Sequence, residues 1–128
     1  MPSFLRKVSL LPANRLTGTI PSSLGDLTQL NYLDLSWSKI TGTIPSLIDN
    51  LTNLTILNFS NNQLTGNIPS EIGDLSSLTH LNLFINQLTG SLPVSLGNLG
   101  QLLTLKISSN PLTGSIPSEI SNLTDLGG

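Results

Sequence analysis

Apolar positions recur along the chain on two superposed periods. The shorter is an alternation: Leu33/Leu35, Leu57/Phe59, Leu81/Leu83 and Leu105/Ile107 each enclose one polar residue, the period of a strand with one buried face. The longer is a 24-residue repeat. Leu51-x-x-Leu54-x-x-Leu57-x-Phe59-x-x-Asn62-x-Leu64 is matched by Leu27 to Ile40, Leu75 to Leu88 and Leu99 to Leu112. Leu16-Thr-Gly-Thr-Ile-Pro21 returns at Ile40 to Pro45, Leu64 to Pro69, Leu88 to Pro93 and Leu112 to Pro117 without a slip. Five turns are expected, the first irregular, each giving one short strand to a parallel sheet with neighbours about 4.8 Å apart.

Each polar column has a physical reading. Asn14, Asn62, Asn86 and Asn110 come three residues after the alternating pair, where the chain leaves the sheet, and a buried amide there can satisfy backbone groups of adjacent turns. Ser38 takes that place in one turn and can make fewer such bonds, so this turn is expected to be the loosest. Gly18, Gly42, Gly66, Gly90 and Gly114 mark bends with positive φ or close approach. Pro21, Pro45, Pro69, Pro93 and Pro117 fix φ and forbid helix upstream. Ser22, Ser46, Ser70 and Ser118 follow, with Val94 the exception, and read as caps of very short 3₁₀ turns. Asp26, Asn50, Asp74, Asn98 and Asn122 form a further column whose side chains can hold their own turn.

The fold class that follows is an α/β-type repeat solenoid: a curved, right-handed array with a concave parallel sheet and short 3₁₀ or extended segments opposite. Residues 11–128 carry the array. Ser3, Arg6 and Ser9 stand 24 residues before Leu27, Leu30 and Leu33, so residues 1–10 are expected to close that end irregularly. At the other end Leu102, Leu105, Leu123 and Leu126 are expected to have little covering them. Repeat arrays need polar caps, which makes a piece of a longer array the simplest reading.

Composition removes several functions. Of 128 residues 28 are Leu, only 9% are charged, and the net charge is -2. Arg6, Lys7, Arg15, Lys39 and Lys106 are scattered, so the basic stripe that nucleic acid requires is missing. With no Cys and only His80, thiolate sites, disulfides and His clusters are excluded, and no cofactor or metal is expected. No apolar run approaches the roughly 18 residues of a membrane helix, so this segment is not expected to insert in a membrane. The start has too broken an apolar stretch for a signal peptide. Asp34, Ser60 and His80 do not form a nucleophilic triad: Asp34 and His80 lie two turns, about 10 Å, apart, and the chain is not expected to be an enzyme.

The form Leu-Thr-Gly-x-Ile-Pro-x-x-Leu-Gly-x-Leu resembles the plant-specific leucine-rich repeat, over roughly Leu11 to Leu126. The resemblance is to the ectodomain repeats of receptor-like kinases, receptor-like proteins and polygalacturonase-inhibiting proteins. It implies a recognition module at the outer face of the plasma membrane or in the apoplast. The partner it implies is a protein or peptide ligand, with a co-receptor or a secreted wall-degrading enzyme as further candidates. The main expectation is part of a receptor ectodomain; an apoplastic enzyme inhibitor is the alternative.

Positions interleaved with the Leu columns vary where the scaffold columns repeat. Asn31/Thr55/Thr79/Leu103, Tyr32/Ile56/His80/Thr104, Asp34/Asn58/Asn82/Lys106, Ser36/Ser60/Phe84/Ser108 and Trp37/Asn61/Ile85/Ser109 are read as the solvent face of the sheet. Large apolar groups aimed at water mark a contact surface, so the expected ligand-binding residues are Tyr32, Asp34, Trp37, His80, Asn82, Phe84, Ile85 and Lys106. Asn50, Asn53 and Asn122 head sequons that would accept glycans in a secreted chain; Asn58 heads another, on the face. A separate hydroxyl ladder, Thr17, Thr41, Thr65, Thr89 and Thr113 with Thr19, Thr43, Asn67, Ser91 and Ser115, allows ice binding as a minor alternative.

Overall fold

The computed structural model describes residues 6–9 and 17–123; Asn14, Leu11 and Leu126 lie outside them. Strands β1 (Lys7–Ser9), β2 (Thr17–Thr19), β3 (Tyr32–Asp34), β4 (Lys39–Thr41), β5 (Ile56–Asn58), β6 (His80–Asn82) and β7 (Thr104–Lys106) are three residues long. A five-stranded parallel sheet runs in the order β1-β3-β5-β6-β7. Its register puts Val8, Leu33, Leu57, Leu81 and Leu105 in one row, so the strongest apolar column points inward at every turn. Leu33, Leu57 and Leu81 are buried, and each such side chain contributes about 1.5–3 kcal/mol.

The pairing begins at Lys7, inside the segment that the 24-residue columns leave unassigned. Val8 aligns with Leu33 at an offset of 25 residues, so one extra residue lies between this strand and the exact columns that follow.

Five 3₁₀ turns among the described residues, Ser22–Asp26, Ser46–Asn50, Ser70–Asp74, Val94–Asn98 and Ser118–Asn122, stack on the far side of the core. The serines expected to cap them do not. The cap position is the preceding proline, in extended backbone, with no side-chain hydrogen bond. Proline already holds its own φ, and its carbonyl takes the first bond, from Leu24 N–H to Pro21 O at 3.1 Å in the first of these turns. The Asx column at the turn ends likewise makes no hydrogen bond of its own; the backbone closes each turn, as in Leu27 N–H to Leu24 O at 3.1 Å. Gly73 is buried in its turn because a Cβ there would lie 2.5 Å from Ser95 O of the next.

The segments between the strands of the sheet and the 3₁₀ turns, expected to be merely extended, carry a second backbone ladder. β2 pairs with β4, and the ladder continues through Gln63 N–H to Ile40 O, Thr65 N–H to Gly42 O, Thr89 N–H to Gly66 O and Thr113 N–H to Gly90 O, each at 2.9 Å. The glycine column serves this ladder. Gly66 has φ +75, and a Cβ on it would stand 2.9 Å from Thr43 Cγ2.

Between the two ladders the asparagine column ties the turns together. Asn62 Oδ1 accepts from Ile40 N–H, and its Nδ2 donates to Leu35 O at 2.8 Å and Phe59 O at 3.0 Å. Asn86 and Asn110 repeat the pattern on Leu64 and Leu88 N–H and on the carbonyls of Phe59 and Leu83. Ser38 is the exception in kind that its short side chain implies: its Oγ is buried with no partner.

At the last turn the expected exposure falls on different residues. Leu102 and Leu123 are buried and Leu105 is half-buried, with the Ser118–Asn122 turn stacked on the Val94–Asn98 turn. The exposed apolar groups there are Ile116, at 73%, and Leu103.

Candidate functional site

The strands end after three residues, and strict alternation ends with them. Tyr32 and Asp34 point outward and are half-buried, but Ser36 and Ser60, read from alternation as facing solvent, are buried. Their hydroxyls fold back onto the strand: Ser36 Oγ donates to Asp34 Oδ1 at 2.6 Å and Ser60 Oγ to Asn58 Oδ1 at 2.7 Å. Phe84 occupies the same column with a ring too large to tuck under, and it stands half-buried between small neighbours. Asp34, Ser60 and His80 are thereby kept apart, and His80 Nδ1 lies 2.9 Å from Thr79 Oγ1 instead.

One residue further on, the chain turns through the left-handed region at each described repeat. Trp37, Asn61 and Ile85 have φ 57 and Ser109 φ 59. This conformation lets their amides reach the next turn, Trp37 N–H to Ser60 O at 3.1 Å and Asn61 N–H to Phe84 O at 2.8 Å. It also turns the side chains out: Trp37 is 59% and Ile85 41% exposed.

These two columns with the strand residues form a groove of about 730 Å³, lined by Trp37, Asn58, Asn61, Asn82, Phe84 and Lys106 among others. A smaller hollow of about 190 Å³ lies beside it over the strands, walled by Tyr32, Ile56, His80 and Thr104, and shares Asn58, Asn82 and Lys106. Of the eight residues singled out by sequence, Trp37, Asn82, Phe84 and Lys106 line the larger groove, and Tyr32 and His80 join Asn82 and Lys106 in the smaller. Ile85 is exposed but lines neither. Asp34 stands apart, its Oδ1 occupied by Ser36 N–H and Oγ. Sequence reasoning did not select Asn58, Asn61, Leu105 or Ile107; the signal was their membership in the variable columns or beside them.

Lys106 is the only lysine or arginine in either lining. At the opposite end Lys7 places its Nζ 4.7 Å from the Tyr32 ring centroid, a cation–π contact. Among the described residues no group of three or more His, Cys, Asp or Glu is placed to hold a metal ion, and no helix is long and apolar enough to cross a membrane. Of the sequon asparagines Asn50, Asn53 and Asn122 are exposed, Asn53 donating from Nδ2 to Thr28 O at 3.1 Å, while Asn58 is half-buried.

One strand and one 3₁₀ turn per repeat, tied by an asparagine ladder, define a leucine-rich repeat solenoid. The leucine-rich repeat region family matches residues 3–126, and the chain belongs to it. No curated protein matches the sequence. Among solved structures the TDR receptor is 39% identical, with a TM-score of 0.85 over 86% of this chain and 19% of that one. The ectodomain of the Arabidopsis receptor kinase HAESA, in complex with an N-terminally extended form of the IDA peptide hormone, is 37% identical, with a TM-score of 0.84 over 86% and 19%. A plant ice-binding protein is 37% identical, with a TM-score of 0.78 over 83% and 34%. The chain thus spans about a fifth of the length of the two receptors.

Proposed function

We propose that this chain is part of an extracellular plant receptor ectodomain and recognises a peptide or protein ligand on the outer face of its five-stranded sheet. The observation that carries the reading is the groove between Trp37 and Phe84. Scaffold columns repeat because packing dictates them, yet here two aromatic rings stand where the neighbouring turns have Asn or Ser, and neither is needed by the core. Grooves of this size with a few directed polar groups are ordinary ligand sites. The likeness to a receptor in complex with a peptide hormone supports a peptide as the ligand. Glycans on Asn50 and Asn122 would leave it clear, since both asparagines end 3₁₀ turns on the opposite side of the core.

Selection of a displayed random peptide library on the immobilised chain tests this. Enriched peptides should lose binding to the Phe84→Ala variant and keep it on Thr65→Val, whose change lies on the second ladder. Enrichment of no sequence, or of peptides indifferent to Phe84, would overturn the reading.

A second reading has its own observation. Thr41, Thr65, Thr89 and Thr113 stand exposed along the second ladder, and Thr41 Oγ1 reaches Gly18 O only at 3.4 Å, so these hydroxyls are largely free to order water. Together with the likeness to a plant ice-binding protein, this supports ice binding. Inhibition of ice recrystallisation that disappears in Thr41→Val/Thr65→Val would favour it; absence of inhibition in the parent would remove it.

A further inference from the structure

We infer that the groove takes an extended peptide crossing the strands, one that seats a large apolar side chain between Trp37 and Phe84, gives carbonyl oxygens to Asn58 and Asn82, and sets a carboxylate against Lys106. This rests on the peptide-recognition reading and names the chemistry of its ligand.

The first support is the exposed ring of Trp37. The left-handed region disfavours side chains other than Asn, Asp and Gly, and the same column shows in Asn61 the residue that suits it. Trp37 keeps that backbone with its side chain 59% exposed. The backbone turn is common to the whole column, Ile85 and Ser109 included, so what singles out Trp37 is the large exposed ring that lines the groove. Two turns separate Trp37 from Phe84, about 10 Å by strand spacing, and the turn between them offers only the buried Ser60 and the Asn61 side chain. One side chain in van der Waals contact with both rings, at about 3.5–4 Å from each, fills that notch.

The second support is the orientation of the amides. Asn58 Oδ1 accepts from Ser60 N–H at 3.0 Å and Asn82 Oδ1 from Phe84 N–H at 3.0 Å. With the oxygens held by the protein, each Nδ2 faces the groove as a pure donor, and neither has a partner among the described residues. Lys106 continues the column with a third donor group, a charged one. Three donors in a row, and no free carboxylate in the lining, select a ligand of carbonyl and carboxylate oxygens.

Trp37 is the chain's only tryptophan, so its emission reports on the groove directly. The experiment titrates the chain with capped hexapeptides bearing Leu or Phe at the centre and Asp, Asn or Lys at each later position. Matched peptides with a free C-terminus and no Asp separate a terminal carboxylate from a side-chain one. A saturating blue shift is expected with a carboxylate, with affinity roughly tenfold lower for the Lys counterpart and the preference reversed in Lys106→Glu. Asn82→Asp keeps the acceptor for Phe84 N–H while replacing the free donor, and should lower affinity about tenfold without lowering the melting temperature. By calorimetry, Trp37→Asn should also bind at least tenfold more weakly, yet melt higher than the parent; a merely structural Trp37 would melt lower when replaced. Equal binding of Asp and Lys peptides, an unchanged preference in Lys106→Glu, or affinity unaffected by Trp37→Asn would overturn the assignment. So would binding of a neutral oligosaccharide with the same blue shift and no peptide response. If peptides selected on this face bind without charge or apolar preference, the ligand chemistry fails and the recognition reading survives.

Discussion

The backbone amide of Ile40 donates to the side-chain oxygen of Asn62 at 3.1 Å, one full turn away and 22 residues later in sequence. The same bond recurs from Leu64 to Asn86 at 3.0 Å and from Leu88 to Asn110 at 3.1 Å. Each asparagine supplies a partner to an amide that lies past the end of its turn's strand in the five-stranded sheet.

Removing one of these amides therefore leaves donors and acceptors stranded in the core. Asn86→Ala should destabilise the chain by about 1–3 kcal/mol, measured as a lower midpoint in urea with the slope unchanged. An Asn86→Ala variant that unfolds at the parent's midpoint would show that the ladder carries no stability.

Ser38 gives the converse test. Its buried hydroxyl has no partner, while the aligned Asn62 makes four bonds with its amide. Ser38→Asn should stabilise by about 1 kcal/mol, read on the same urea curves.

The 24-residue columns make this much legible: the buried Leu rows, the asparagine ladder, the positive φ of the glycines and the opposed 3₁₀ turns all follow from what recurs. What did not recur was harder to read. Val8 escaped because it stands 25 residues before Leu33, not 24, although Leu5 and Leu10 show the same offset from Leu30 and Leu35. Ser36 and Ser60 were assigned to solvent because alternation was carried past Asp34 and Asn58, where the strands stop. The left-handed column was hidden by its own residues: only Asn61 advertises that conformation, and Trp37 and Ile85 argue against it. In the groove, Trp37 and Phe84 are visible as misfits in polar columns, whereas Asn58 and Asn61, though in the same variable columns, are ordinary polar residues there and acquire a role only through their neighbours.

Ile85 offers a test of the backbone finding apart from any ligand. A β-branched residue at φ 57 is strained, and Ile85→Asn should stabilise by about 1 kcal/mol. The measurement is thermal unfolding by circular dichroism; a lower melting temperature would mean that packing of the isoleucine outweighs its backbone strain.

Gly66 is the opposite case. Its φ of +75 and the approach of Thr43 Cγ2 leave no room for a methyl group, so Gly66→Ala should cost about 1–2 kcal/mol from the backbone alone. Adding Thr43→Ala should recover the clash and not the backbone part, which a double-mutant cycle on urea midpoints separates.

The central claim is that the outer face of the five-stranded sheet, and not the second ladder, recognises the ligand. Isothermal calorimetry with a peptide selected on the parent chain tests it most directly. Phe84→Ala should weaken binding by about 2 kcal/mol or more, with the melting temperature little changed because the ring stands outside the Leu columns, while Thr41→Val/Thr65→Val binds as the parent does. Affinity unchanged by Phe84→Ala and lost with the threonine changes would place recognition on the second ladder and contradict this assignment.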